Sequence, residues 1–323
     1  VRWGIIGCGD VTEVKSGPGL QKAEGSELVA VMRRDAAKAR DYAQRHDVPR
    51  WYDDADALIA DDDVDAVYIA TPPDSHLEFT RRVAAAGKPV YVEKPMARTA
   101  AECERMVRAC TEAGVPLFVA YYRRRLPIHL KVESLLNDGA IGAPRFVCIR
   151  HVGVFGPTTD GAVPWRLVPD IAGKGGHFHD LASHQLDLLD YLLGPLTPAG
   201  GVAMNLGGHY ACHDTVTAAW RHDTAVAGSG TWCFVAGQEL TAEDIEIVGD
   251  EGRLSFTAFS LERPVRLQRG DHVEEFVLPP PRHVQLPLIQ SVVDDLLGRG
   301  RCPSTGESAM RTARVMDRIL GVV

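Results

Sequence analysis

A chain of 323 residues is too long for one ordinary hydrophobic core, so two domains are expected. With 45% hydrophobic and 24% charged residues and no biased tract, the composition is globular, neither disordered nor fibrous. A formal net charge of −8 argues against nucleic acid as a partner, and no apolar run reaches the roughly 18 residues that span a bilayer.

The first residues, RWGII, read as a strand entering a glycine turn rather than as a signal peptide. The turn, GIIGCGDVTEV, sets Gly7-x-Gly9-x-x-Thr12 at the head of a helix. Gly7 allows the tight turn, Gly9 lets a pyrophosphate approach the backbone, and a small Thr12 permits close helix packing. Cys8 is expected as a small buried filler, and Asp10 and Val11 open the helix beside the phosphates. A tight turn with no ligand is the alternative, because glycine turns are common. Strand two, ELVAVM, ends in Arg33 and Arg34 where NAD-binding folds place an acid, with Lys38 one turn on. Guanidinium forks match a ribose phosphate, so NADP(H) is expected rather than NAD.

Three more strands follow: DAVYIA, KPVYV and PLFVA, separated by helical stretches such as DAAKARDYAQRH and TAAECERMVRACTEAG. Strand–helix alternation predicts a doubly wound parallel sheet, a Rossmann domain over residues 1–122. Ligands of such sheets sit beyond the strands' carboxyl ends. Thr71, Pro72 and His76 in YIATPPDSH, and Glu93 and Lys94 in VYVEKP, are therefore placed on the cofactor, with Asp74 or Ser75 capping the next helix. Lys94, clamped by Glu93 and Pro95, reads as a side chain aimed at a carbonyl oxygen. A snorkelling surface lysine fits that strand end poorly. The acidic run DDADALIADDDVD reads as a solvated helix face.

From about residue 144 longer strands joined by short turns predict a mostly antiparallel sheet in an α+β domain, residues 123–323, finished by helices near 283–298 and 306–320. The last helix could pack back on the first domain. Within GKGGHFHDLASHQLDLLDYLLG, Asp180, His184 and Asp187 fall at i, i+4 and i+7 of a helix, one face. His184 is a candidate general acid. Asp180 as a mere helix cap, His184 as a core histidine, and a metal set of His177, His179, His184 and Asp180 are the competing readings; no metal is expected, because a nicotinamide needs none. Seven scattered cysteines without CxxC pairs fit a reducing cytoplasm.

Taken together, GIIGCGDVT, YIATPPDSH, YVEKPM, VPWRLVPDIAGKGGHFHDLASHQLDLLDYL and CPSTGESAMRTARVMD resemble the glucose–fructose oxidoreductase/inositol dehydrogenase (Gfo/Idh/MocA) family along nearly the whole chain. The resemblance implies a Rossmann domain followed by a large open antiparallel sheet, a nicotinamide cofactor, and a sugar, cyclitol or related polyol as substrate. It puts the family lysine on Lys94 and the family aspartate and histidine on Asp180 and His184, with a cis bond before Pro95. The VPWR segment is similar to 1,5-anhydrofructose reductases, which implies that Trp165 and Arg166 touch the sugar; Tyr122 is placed there too. Lys174 departs from an all-glycine run, which could alter the pocket's shape, and Arg123-Arg124-Arg125 from a less basic one; these arginines would greet an acidic or phosphorylated substrate or pair with surface carboxylates, and surface pairing is the one expected. Pairing of sheets in the family implies a homodimer or homotetramer. The leading function is an NADP(H)-dependent carbonyl reductase or polyol dehydrogenase. The alternatives are an NAD-dependent glycosidase of the same fold and a non-enzymatic NADP sensor.

Overall fold

The structure, a computed structural model, describes residues 1–154 and 163–322; Phe155, at the end of one predicted strand, lies outside them. The described residues form two compact units. The first comprises Val1–Tyr122 together with Pro281–Met310; the second comprises Arg123–Pro280 and the chain from Arg311 on.

Unit one follows the order β1 (Arg2–Ile6), α1 (Asp10–Val14), α2 (Gly17–Lys22), β2 (Glu27–Met32), α3 (Ala36–Arg45), β3 (Arg50–Tyr52), α4 (Ala55–Ile59), β4 (Ala66–Ile69), α5 (His76–Ala85), β5 (Val90–Val92), α6 (Ala100–Ala113) and β6 (Leu117–Val119). Its sheet runs β3-β2-β1-β4-β5-β6, all parallel. Ile5, Ile6, Val67, Tyr68, Ile69, Val90 and Val92 are fully buried, as strands covered on both faces require. Strand order reverses between β1 and β4, which makes their carboxyl ends the expected ligand crevice.

The structure differs from the expectation in three places here. The edge strand β3, only Arg-Trp-Tyr, is too short to show a pattern. The helix after the glycine turn is broken, with α1 ending at Val14 before α2 begins at Gly17. Pro18 removes an amide there, and a Cβ on Gly17 would stand 2.2 Å from the Thr12 carbonyl oxygen. In the acidic run only Ala55–Ile59 is helical; Asp61, Asp63 and Asp65 pair with Arg2 and Arg50.

Unit two holds α7 (Pro127–Asn137), β7 (Pro144–Val152), α8 (Pro169–Ala172), α9 (Ser183–Leu193), β8 (Leu196–Met204), β9 (Thr215–His222), β10 (Ala227–Cys233), β11 (Ala242–Gly249), β12 (Arg253–Phe256), β13 (Val265–Arg269) and β14 (His272–Phe276). Its eight strands run β14-β13-β12-β11-β7-β10-β9-β8, antiparallel except for β10 on β7. Strict alternation in β9, with Val216, Ala218, Trp220 and His222 inward, puts one face on the core. Two edge strands escaped the sequence. β14, His-Val-Glu-Glu-Phe, is short and almost wholly exposed, and β8 carries Pro198, a bulge and two glycines. Gly201 is needed there, because a Cβ would meet Ile319 Cγ2 at 2.8 Å. Helices α10 (Leu286–Leu296) and α11 (Gly306–Ile319) complete the chain. No helix among the described residues is long and apolar enough to cross a membrane.

Candidate functional site

In unit one the glycine turn and the strand ends meet. Gly7 has φ +90°, and a Cβ on it would lie 2.6 Å from Thr71 Cγ2, so only glycine lets the β1 turn pass the end of β4. Its amide and that of Cys8 donate to the Met32 carbonyl (2.9 and 3.2 Å), tying the turn to β2. Above Gly9 the space is open: the first atom an added Cβ would meet is the Gly7 oxygen at 3.9 Å. The amides of Asp10 and Val11 carry no hydrogen bond among the described residues, as first-turn amides do. An open glycine and two available N–H groups fit a pyrophosphate.

Thr12 is fully buried, and its hydroxyl bonds the Gly9 carbonyl and amide (2.8 and 3.0 Å). It shapes the turn from inside. Cys8 is buried as expected, and burial pushes its thiol up to about 11. Arg33, half-buried, leans across the turn and donates to the Cys8 carbonyl at 3.3 Å, while Arg34 is exposed. Lys38 pairs with Asp35, which caps α3.

Thr71 and Pro72 are partly exposed at the β4 end. Ser75 stands at the N-cap of α5 but makes no capping bond; its hydroxyl turns back to Thr71 Oγ1 (2.7 Å) and the Pro72 carbonyl (3.0 Å). Asp74 falls within the short 3-10 turn Pro73–Ser75. The Lys94–Pro95 bond is cis, as the resemblance implied. Beneath Lys94, Glu93 accepts from Tyr68 Oη (2.6 Å), Gln285 Nε2 (2.7 Å) and the Lys94 amide (3.0 Å). Glu93 is 7% exposed, so it supports Lys94 from below. Gln285 comes from nearly 200 residues away, in VQLP, and no local pattern marks it. His76 is fully buried, and both ring nitrogens face main-chain carbonyls, of Met96 (3.0 Å) and Thr71 (2.7 Å).

Unit two presents the second set. Gly173 and Gly176 have positive φ (86° and 52°), and a Cβ on Gly176 would stand 2.6 Å from Cys212 Cβ. Lys174 does not share that conformation and its side chain is exposed, so a lysine is carried there without cost to the loop. The chain then makes a π turn, Phe178–Ala182, before α9. A π turn closes i to i+5, so the one-face rule of a straight helix slips across it. Asp180 faces Arg166 (Nε–Oδ2 3.4 Å), whose guanidinium lies over the Trp165 ring at 4.4 Å. Asp187 goes elsewhere, to Arg124 (2.7 Å, both oxygens). This overturns surface pairing for Arg123 and Arg124. Both are buried, Arg123 donating to the Ala258 carbonyl (2.7 Å), because a carboxylate and a carbonyl wait in the core. Tyr122, which belongs to unit one, is buried too.

His184 is 3% exposed and meets Phe259 edge-on (6.0 Å). Phe259 also touches His151, and Phe234 touches both His151 and His177. Burial holds the His177 and His151 imidazoles below their ordinary range, with Asp180 opposing this at His177 and Glu243 at His151. The residue after His184 is an anchor the sequence did not reveal. Gln185 accepts from Trp232 Nε1 (2.7 Å) and donates to Glu243 (2.9 Å), itself held by the amides of Ala258 and Phe259. His179 turns away, with Nδ1 on the Ala172 carbonyl (3.1 Å). Among the described residues no group of three or more His, Cys, Asp or Glu is placed to hold a metal.

His179 carries a stability prediction. Full burial lowers it from about 6.5 to about 4, so the unfolded chain binds its proton first as pH falls. Stability is intact above about 6.5 and is lost between there and about 4, by roughly 3 kcal/mol. Urea midpoints from pH 7.5 to 4.5 should fall more steeply for the wild type than for His179→Gln; parallel curves would refute this.

A family model described as "Oxidoreductase family, NAD-binding Rossmann fold" matches residues 1–121, and one for the GFO/IDH/MocA C-terminal domain matches residues 129–255. The chain is 38% identical to Oxidoreductase P35 of Formosa agariphila, over 99% of this chain and 98% of the relative. It is 29% identical to a 1,5-anhydro-D-fructose reductase of Ensifer adhaerens, covering 96% and 92%. The 3-ketoreductase KijD10 of Actinomadura kijaniata, solved with NADP and TDP-benzene, superposes with a TM-score of 0.84 at 25% identity, over 99% and 97% of the two chains. With both of its domains matched, the chain belongs to the GFO/IDH/MocA family of oxidoreductases.

Proposed function

We propose that the protein is an NADP(H)-dependent oxidoreductase acting on a carbonyl or secondary alcohol of a sugar, anhydro-sugar or cyclitol. The observation that carries the cofactor half is Arg33, whose guanidinium lies across the glycine turn at the end of β2. The likeness to a 1,5-anhydro-D-fructose reductase and to a 3-ketoreductase bound to NADP supports the substrate half.

When bound, the nicotinamide supplies or accepts the hydride. Gly7, Gly9 and the amides of Asp10 and Val11 would hold the pyrophosphate; Arg33 and Arg34 the ribose phosphate; Thr71 and Pro72 the nicotinamide end. Lys94 donates a hydrogen bond to the substrate oxygen and favours its negative charge, and His184 supplies or takes the proton. Asp180, Arg166 and Trp165 bind sugar hydroxyls and a ring face. The outward face of the unit-two sheet, where Phe146, Val202 and Met204 are exposed, supports a homodimer or homotetramer through that sheet.

The cofactor reading is tested by replacing Arg33 and Arg34 with Ala. Charge-assisted hydrogen bonds contribute about 1.5–3 kcal/mol each, so the NADPH dissociation constant should rise at least about tenfold while that for NADH barely moves. Equal losses for both cofactors would sink the NADP assignment.

A further inference from the structure

The chain returns to unit one at Pro281, and the start of α10 there touches both the helices behind the glycine turn and the support of Lys94. His283 Nδ1 lies 3.2 Å from the carbonyl oxygen of Val14, the last residue of α1. Ile289 packs under α2, where a Cβ on Gly19 would stand 2.6 Å from its Cδ1. Between them Gln285, 1% exposed, donates from Nε2 to Glu93 Oε1 at 2.7 Å. Gln285 occupies the N-cap of α10, a position where serine, threonine, aspartate or asparagine would cap free amides. It makes no capping bond, and its Oε1 is buried with no hydrogen-bond partner among the described residues. An unmet buried acceptor costs stability, so α10 gains little from this side chain. What the side chain holds is Glu93. The other two donors to that carboxyl group are local: Tyr68 Oη comes from the neighbouring strand β4, and the Lys94 amide belongs to the next residue. Of the three, only Gln285 ties the end of β5 to a separate element.

We propose that Gln285 is a positioning residue for Lys94, acting through Glu93. It fixes the Glu93 carboxyl group from α10, and Glu93 in turn fixes the main chain of Lys94 through the 3.0 Å bond from its amide. The root of the lysine side chain is thereby set from the same segment that braces α1 and α2. The functional half rests on the role proposed for Lys94; the bracing does not.

The test assays Gln285→Met, Gln285→Ser, Glu93→Ala and the double variant Gln285→Met/Glu93→Ala with NADPH and 1,5-anhydro-D-fructose. Methionine keeps the length of the side chain and removes its donor; serine supplies a helix cap but no bond to Glu93. Each Gln285 variant should lower kcat by about tenfold, with the NADPH dissociation constant within about twofold. In the Glu93→Ala background the methionine change should move kcat by less than about twofold, because Gln285 then has nothing to hold. Unchanged kcat in Gln285→Met, or an equal loss in both backgrounds, would overturn the proposal. So would recovery of kcat in Gln285→Ser, which would assign the side chain to the helix end; that variant also decides the matter if the methionine variant does not fold. Crystal structures of the wild type and of either Gln285 variant need no substrate. The Glu93 carboxyl group should swing away from the Lys94 amide in the variant, and an unmoved pair would overturn the bracing. Failure of the wild type on a full panel of keto-sugars would instead strike the functional reading, and the two structures would still decide the positioning.

Discussion

Lys94→Met and His184→Ala should each lower kcat on the best keto-sugar by about 10²–10⁴, with the NADPH dissociation constant nearly unchanged. Hydride transfer to a carbonyl leaves negative charge on oxygen, and that charge must be met by a donor and then by a proton. Methionine keeps the length of the lysine stem but removes its charge and all three N–H donors. The Glu93 support beneath should survive, because Tyr68, Gln285 and the residue-94 amide still donate to it. At position 184, alanine removes an imidazole packed against Phe259, and Gln185, still tied to Trp232 and Glu243, keeps the helix start in place. The comparison of kcat with cofactor affinity is what discriminates. A loss of NADPH binding equal to the loss of rate would assign these residues to cofactor binding, and full turnover in both variants would refute their part in the chemistry.

The sequence showed most clearly what local physics dictates. Gly7 and Gly9 stand out because a turn needs positive φ and an open backbone. Lys94 stands out because β-branched residues lead to a charge flanked by proline. Inner strands were legible from apolar runs, whereas β3, β8 and β14 were not: edge strands need only one partner, so short, polar or glycine-bearing segments serve. Other misses share a cause in distance along the chain. Whether Arg124 is a surface or a core residue depends on Asp187, 63 positions later, and Gln285 meets Glu93 across 192. The π turn defeated the spacing argument for Asp180, His184 and Asp187, because inserted helical geometry leaves no signature in hydrophobic period. His76 and Thr12 lie in the loops the sequence singled out, and both are fully buried there. Burial decides between touching a ligand and shaping what touches it, and one-dimensional spacing does not report burial.

Arg124→Met should destabilise unit two by about 3–5 kcal/mol, among the largest single-residue losses expected in this chain. Arg124 grips Asp187 through Nε and Nη2, both at 2.7 Å, and its Nη2 is 3.8 Å from Asp190. Arg311 holds Asp190 from the other side through Nε (3.2 Å) and Nη2 (2.6 Å), and Thr312 donates to Asp187. The Arg124, Asp187 and Asp190 side chains are at most 3% exposed, so water offers no substitute partner. Burial already pushes Asp187 upward, with the neighbouring Asp190 adding to it and Arg124 opposing both. Without the guanidinium, Asp187 would take a proton rather than stay charged in the core, which caps the loss. The double variant Arg124→Met/Asp187→Leu removes charge and countercharge together and should recover much of the stability, since replacing a whole buried pair by apolar groups is often near neutral. Urea unfolding followed by Trp220 and Trp232, both in the unit-two core, measures this. A single-variant loss below about 1 kcal/mol, or a double variant no better than the single, would mean that the pair is not an anchor of α9. The consequence reaches His184, three residues before Asp187 on that helix: the double variant should regain stability and keep turnover only if the helix retains its seat without the ion pair.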